Sequence, residues 1–196
     1  GGGCTVKNKY ETYRAILREK LDEYRYVHSI NVSETSAELA RKYGADEKKA
    51  YEAGLLHDIM KNADKEETFA LFEKYGEKLT ELERKSPKLW HAIAGSVYCK
   101  YELEIDDEDV ISAIRYHTTG RAGMTELEKV LFTADFISAD RNYNGVEEMR
   151  EKAQISLDEA MTEGLRFTID ELCNALKPIH PDTIDAYNDI LLKGIE

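Results

Sequence analysis

Three prolines in 196 residues, at positions 87, 178 and 181, leave long stretches free of the residue that breaks helices. Strand-like alternation of apolar and polar residues is nearly absent. No apolar run approaches the ~20 residues of a membrane span, and no signal peptide opens the chain. The three cysteines, Cys4, Cys99 and Cys173, are odd in number and far apart. They match neither zinc-site spacing nor a disulfide framework, so a reducing cytoplasm is the expected setting. Internal repeats, low-complexity linkers and compositional breaks are missing too. One domain over residues 1–196 is the expectation. Residues 1–8, which begin "GGGCT", read as a flexible start whose glycines are a cloning remnant.

Positive charge is in short supply. Against 39 Asp and Glu stand 27 Lys and Arg, for a formal net charge of -12. That argues against broad nonspecific binding to nucleic acid or to anionic membrane. A small phosphorylated substrate stays open, if metal, Lys or Arg supplies local positive charge. Hydrophobic residues at 42% and charged residues at 34% are ordinary for a globular chain of this size, which is long enough for a sizeable core.

What fills the chain is helical spacing. "YETYRAILREKLDEYRYVHSINVSETSAELARKYG" holds two helical segments, the second stopping at Gly44. Asp46 caps "EKKAYEAGLLHDIMK". "KEETFALFEKYG" ends at Gly76, and Ser86-Pro87 opens "PKLWHAIAGSVYCKYEL". The acidic start of "DDEDVISAIRYHTTG" suits a helix dipole. Thr125 and Glu128 form a capping box for "ELEKVLFTADFISADR". "GVEEMREKAQISLDEAMTEGLRFTIDELCNAL" reads as one long helix or two abutting ones, and "HPDTIDAYNDILLK" closes the chain. The expected fold is all-α, a helical bundle of roughly eight to ten helices.

Five histidines are present, and four of them, His28, His57, His91 and His117, each sit on a different predicted helix among apolar neighbours. Asp135 is placed similarly in "LFTADFISADR". Burying such a carboxylate is costly unless it is paired or metal-bound. Any one of these residues can be explained by core hydrogen bonding, capping or a salt bridge. As a set, their nitrogens and oxygens suit Fe, Mn, Co or Zn. His57 and Asp58 are adjacent and point about 100° apart on a helix. Both reach one centre only at the helix end or between two ions, and a carboxylate can bridge two metals.

The ordered series His28, His57-Asp58, His91, His117, Asp135 resembles the H…HD…D signature of HD-domain phosphohydrolases with the two extra histidines of the dinuclear subgroup. The wording of "HSINVSETSAELARKYG", "AGLLHDIMK", "HAIAGS", "IRYHTTGRAGMTELEKVLFTADFISADRNYNGVEEMR" and "HPDTIDAYN" resembles the bacterial YqeK family, over about residues 20 to 190. The resemblance implies an HD-domain bundle and symmetrical hydrolysis of diadenosine tetraphosphate into two ADP. It implies two divalent transition metals, iron first and Mn, Co or Zn as alternatives. His28, His57, Asp58 and Asp135 would hold one, and His91 and His117 the other, with Asp58 bridging. Asn142 and Tyr143-Asn144 depart from the more acidic or proline-containing turn of many relatives.

A metal lowers the pKa of bound water from 15.7 to about 7, which would supply hydroxide for attack on phosphorus. Asp58 and Lys61 are the candidate catalytic residues. Lys61, spaced three and four residues from Asp58 and His57, would share their face of a helix and neutralise phosphate, or else merely complement the dipole. Arg141 and Arg121 are the other phosphate candidates. Their alternatives are a salt bridge to Asp140 or a Glu for Arg141, and simple solvation for Arg121. His180 reads as a helix-start residue. Tyr116, Tyr143 and Trp90 could flank a purine or belong to the core. The competing functions are another HD-type nucleotidase or phosphodiesterase, and a non-catalytic metal- and nucleotide-binding regulatory module. An apolar face on the terminal helices would permit a homodimer.

Overall fold

The computed structural model describes residues 3–195, with side chains from residue 9 onward. Of the stretch 1–8, read above as flexible, Gly1, Gly2 and all the side chains lie outside the described residues. Eleven α-helices and no strand occur among the described residues: α1 (Gly3–Lys20), α2 (Glu23–Tyr43), α3 (Glu47–Leu56), α4 (Lys65–Tyr75), α5 (Glu81–Arg84), α6 (Trp90–Val97), α7 (Glu108–Arg115), α8 (Glu126–Ile137), α9 (Val146–Ile155), α10 (Leu157–Asn174) and α11 (Pro181–Leu192). A 3-10 turn (Pro87–Leu89) precedes α6 and a π turn (Tyr98–Glu102) follows it. The all-α class is as the periodicity requires. The count exceeds eight to ten because α5 is a single turn, too short to show a period; its Thr80–Glu83 capping box marks it.

Polar side chains start most of these helices. Asp22, Asp46, Asp64, Thr125 and Ser156 each accept from a backbone N–H of the first turn. Pro87 stands at the start of its turn as expected, although Ser86 makes no side-chain cap there. Ser156 is extended (φ -160°, ψ 152°), which divides the long C-terminal helical stretch into α9 and α10. His180 does start a helix, its Nδ1 accepting from Asp182 N–H at 3.0 Å.

Helix α3 is the middle of the bundle. It packs on α2, α7 and α8, while α6 lies against α7. Ala53, Leu55, Leu56, Val32, Ile114, Val130 and Leu131 fill the space between them and are fully buried. Such burial drives assembly at about 25 cal/mol per Å² of apolar surface. Close approach matters at the α2–α3 crossing. A Cβ on Gly54 would stand 2.8 Å from Ser33 Cα and 2.9 Å from Val32 O. Helices α9, α10 and α11 form an outer layer packed on and beyond α8. No helix among the described residues is long and apolar enough to cross a membrane.

Candidate metal centre and active site

Five helices bring the polar residues together. His28 lies in the interior of α2, His91 in the first turn of α6, and Asp135 in the last turn of α8. His57 caps the C-terminus of α3, and Asp58 follows it. His117 lies beyond the end of α7. So His57 and His117 stand just past helices rather than on them. The "HD" helix was expected to run to Lys61, but residues 57–62 are tight turns closed by Ile59 N–H to Leu56 O (3.1 Å) and Lys61 N–H to Asp58 O (2.8 Å). The helical spacing argument for Lys61 therefore does not apply. The early end is also what lets adjacent His57 and Asp58 aim at one place.

The Asp58 carboxylate divides the imidazoles into two pairs. Its Oδ2 is 3.5 Å from His57 Nε2 and 3.9 Å from His28 Nε2. Its Oδ1 is 3.7 Å from both His91 Nε2 and His117 Nε2. Asp135 Oδ1 closes the first end, 2.8 Å from His28 Nε2 and 3.4 Å from His57 Nε2. Three overlapping triads, His28/His57/Asp58, His57/His117/Asp135 and Asp58/His91/His117, each gather their ligand atoms within 4.8 Å of one another. The middle triad crosses the boundary drawn from the sequence between two metal sites.

The other ring nitrogens of His28, His57 and His117 are spoken for, which fixes these imidazoles with Nε2 inward. His57 Nδ1–H donates to Gly54 O and His117 Nδ1–H to Ile114 O, each at 2.6 Å. His28 Nδ1–H donates to Asp140 Oδ2 at 2.7 Å. This is the outer-shell pattern of metal-bound histidines. His57 Nε2 is buried with no hydrogen-bond partner. A buried polar atom left so is costly, and a metal ion would satisfy it. Among the described cysteines, Cys99 is buried in the apolar core and Cys173 is exposed. The donors at the centre are thus nitrogen and oxygen, a set that fits divalent Fe, Mn, Co or Zn.

Electrostatics keep the carboxylates ionised. Burial pushes Asp58 and Asp135 up, but the surrounding histidines outweigh it and hold both well below the usual range. Burial also depresses His57, yet Asp58 and Asp135 raise it to about 9. His91 goes the other way, held to about 3 by burial and by the neighbouring His117.

The candidate cations are placed differently from one another. Arg141 is at the centre, donating from Nε to Asp135 O (2.8 Å) and from Nη2 to Asp135 Oδ1 (3.0 Å). Its partner is Asp135, not Asp140. Lys61 is half-buried; burial lowers its pKa against the pull of Asp58, and Arg25 and Arg141 lower it further. Arg121 is turned to Glu128, with Nε 2.7 Å from Oε2 of that buried carboxylate. Arg25, not singled out from sequence, donates from Nη1 to Asp58 Oδ2 at 3.2 Å. Its place three residues before His28 on one helix face was the available signal. Asp140 was missed as an orienting residue, though it stands in the quoted "ADR". Of the three candidate aromatics, Trp90 donates Nε1–H to Glu83 O (2.8 Å) and Tyr143 donates its hydroxyl to Phe136 O (2.7 Å). Tyr116 lies under Arg121, whose guanidinium carbon is 4.9 Å from the ring centre.

Comparison with known proteins places the chain among them. The HD domain profile matches residues 25–140, which span all six candidate ligands. The chain is 41% identical to "Bis(5'-nucleosyl)-tetraphosphatase, symmetrical" of Bacillus subtilis, over 89% of this chain and 93% of that protein. It is 42% identical to the protein of the same name from Halalkalibacterium halodurans, over 91% and 95%. A crystal structure from Clostridium acetobutylicum, described as a predicted HD superfamily hydrolase involved in NAD metabolism, superposes with a TM-score of 0.90. It is 35% identical and covers 94% of this chain and 97% of its own. The chain belongs to the HD-domain family, in its YqeK branch.

Proposed function

We propose that the protein is a metal-dependent hydrolase that cleaves diadenosine tetraphosphate symmetrically into two ADP. The observation that carries the reading is the Asp58 carboxylate, with one oxygen toward His28 and His57 and the other toward His91 and His117. In this reading His28, His57, Asp58 and Asp135 hold one divalent metal, and His91 and His117 the second, with Asp58 shared. Iron is the first choice, and the donors also suit Mn, Co and Zn. Bound there, the metals would lower the pKa of water toward about 7 and offset phosphoryl charge.

The chain's own part is positioning and charge. Arg141, Lys61 and Arg25 bring positive charge to one small region of a chain whose net charge is -12. Arg141 and Lys61 would grip phosphate oxygens as the central bridge breaks and ADP leaves. Asp58, held ionised, serves as a ligand and not as a proton donor. Arg121 would reach phosphate only by releasing Glu128. Small nucleotides are the expected partners, with ADP as product, and the net charge of -12 weighs against nucleic acid. The absence of a zinc or disulfide cysteine pattern supports a cytoplasmic setting.

The test is incubation of anaerobically prepared, Fe(II)-loaded protein with diadenosine tetraphosphate, with chromatography of the products. ADP alone is expected. AMP with ATP would overturn the symmetrical cut. Activity on mononucleotides or NAD with none on the tetraphosphate would point to another HD-type activity. Metal analysis should find about two ions per chain, and a folded His57→Ala protein should lose both activity and metal.

A further inference from the structure

Two exposed apolar side chains stand on α2 beside the site. Tyr24 is 57% exposed and Val27 is 42% exposed, one helical turn apart. A single exposed aromatic is ordinary; what singles out Tyr24 is its place. Its ring lies parallel to the His28 imidazole, 4° between planes and 6.5 Å between centres. The Arg25 guanidinium carbon is 5.3 Å from the ring centre. Trp90, Tyr143 and Tyr116 are half-buried, whereas much of the Tyr24 ring faces outward.

The symmetry of the cleavage supplies the direction. Breaking the tetraphosphate into two ADP puts the scissile bridge at the centre, with two phosphates and a nucleoside on each side. Asp58 splits the imidazoles into a His28/His57 end and a His91/His117 end. A substrate centred on Asp58 sends one nucleoside out past His28, where α2 presents Tyr24 and Val27. We propose that Tyr24, backed by Val27, stacks on the nucleobase of the half that leaves past His28. This rests on the reading of the protein as a dinucleoside tetraphosphate hydrolase. A ring beside Arg25, on the helix that also carries His28, suits such a ligand, because the base takes the π face while the phosphates reach the cations and metals of the centre.

The experiment compares Tyr24→Ala, Tyr24→Phe and wild type on diadenosine tetraphosphate, with metal content measured on each. Loss of one base–aromatic stack should raise KM about 10-fold in Tyr24→Ala. The kcat should stay within about 2-fold and metal content should not change. Tyr24→Phe, which keeps the ring, should behave as wild type. An unchanged KM in Tyr24→Ala overturns the inference. So does a Tyr24→Phe protein as impaired as Tyr24→Ala, since the hydroxyl and not the ring would then be used. Loss of metal with a fall in kcat also overturns it, as Tyr24 would then be a support for His28. If wild type releases no ADP, the functional reading falls and takes the inference with it; if wild type is active, the inference stands or falls alone.

Discussion

Asp140 holds His28 from behind: its Oδ2 lies 2.7 Å from His28 Nδ1, on the opposite edge of the ring from Asp135. The carboxylate accepts the Nδ1–H hydrogen bond, which keeps the proton on Nδ1 and leaves Nε2 as the ligand atom. Partners of this kind typically contribute 10–100-fold in metal affinity. Asp140→Ala should therefore weaken metal binding at the His28 end by about that factor, and Asp140→Asn by less, because its amide oxygen can still accept. Titration against a competing chelator reads this directly. Equal affinity in wild type and Asp140→Ala would show that His28 needs no such partner.

Arg150 fastens the turn that carries Asp140 and Arg141. From α9 its Nε donates to Ile137 O at 3.0 Å, and its Nη2 to Ser138 O and Arg141 O at 2.9 Å each. The Ile137 and Ser138 carbonyls are at the C-terminus of α8, where no helical partner exists. Arg150→Met should cost about 2 kcal/mol, or roughly 4–8 °C in Tm for a chain of this length. Arg150→Lys should recover only part, since one ammonium cannot span three carbonyls. A thermal melt of Arg150→Met that overlays wild type would refute the clamp.

These two residues also show where sequence reading stopped. His28 and Asp135 were legible because their helices carry clear periods and caps, and His91 because Pro87 marks the start of its segment. His57 and Asp58 were legible as members of the polar cluster but not as turn residues. His57 keeps helical dihedrals (φ -58°, ψ -32°), and neither glycine nor proline marks the end of α3. Helix α8 ends where Ser138 turns extended (ψ 155°), and Ile137 O and Ser138 O there accept from Arg150, 12 positions after Ser138. No local pattern can reveal such a partner. The α9–α10 break was half legible, since Ser156 with Glu159 three residues on is a capping pattern inside a continuous apolar period. The aromatics were the least legible, because exposure, which separates Tyr24 from Trp90, depends on the whole fold.

Gly54 ties packing to the metal centre. Helices α2 and α3 touch there with no room for a Cβ, and Gly54 O receives His57 Nδ1–H at 2.6 Å. A methyl group 2.8 Å from Ser33 Cα must push the two helices apart. Gly54→Ala should lose about 1–3 kcal/mol to overpacking. It should also loosen metal binding, because the same shift moves His57 relative to His28. Denaturant unfolding and chelator competition measure the two effects separately. Destabilisation with unchanged metal affinity would mean that the spacing of α2 and α3 does not set the site.

Metal binding should expel a proton from His57. Asp58 and Asp135 hold that imidazole at about 9 in the metal-free protein, against the effect of its burial. A ligand imidazole must be neutral, so metal competes with the proton at every pH below about 9. Apparent affinity should thus rise as pH increases from 6 to 9, by up to about tenfold per unit for one proton, and then level off. The same shift bears on the metal-free fold. The folded pKa exceeds the ordinary 6.5, so the stabilisation from charged His57 is complete below 6.5 and is lost as pH rises through 9. Base should therefore weaken the metal-free protein while it strengthens metal binding. Calorimetric metal titrations at pH 7 in buffers of different ionisation enthalpy should report about one proton released, and a flat affinity profile from pH 6 to 8 would contradict the assignment.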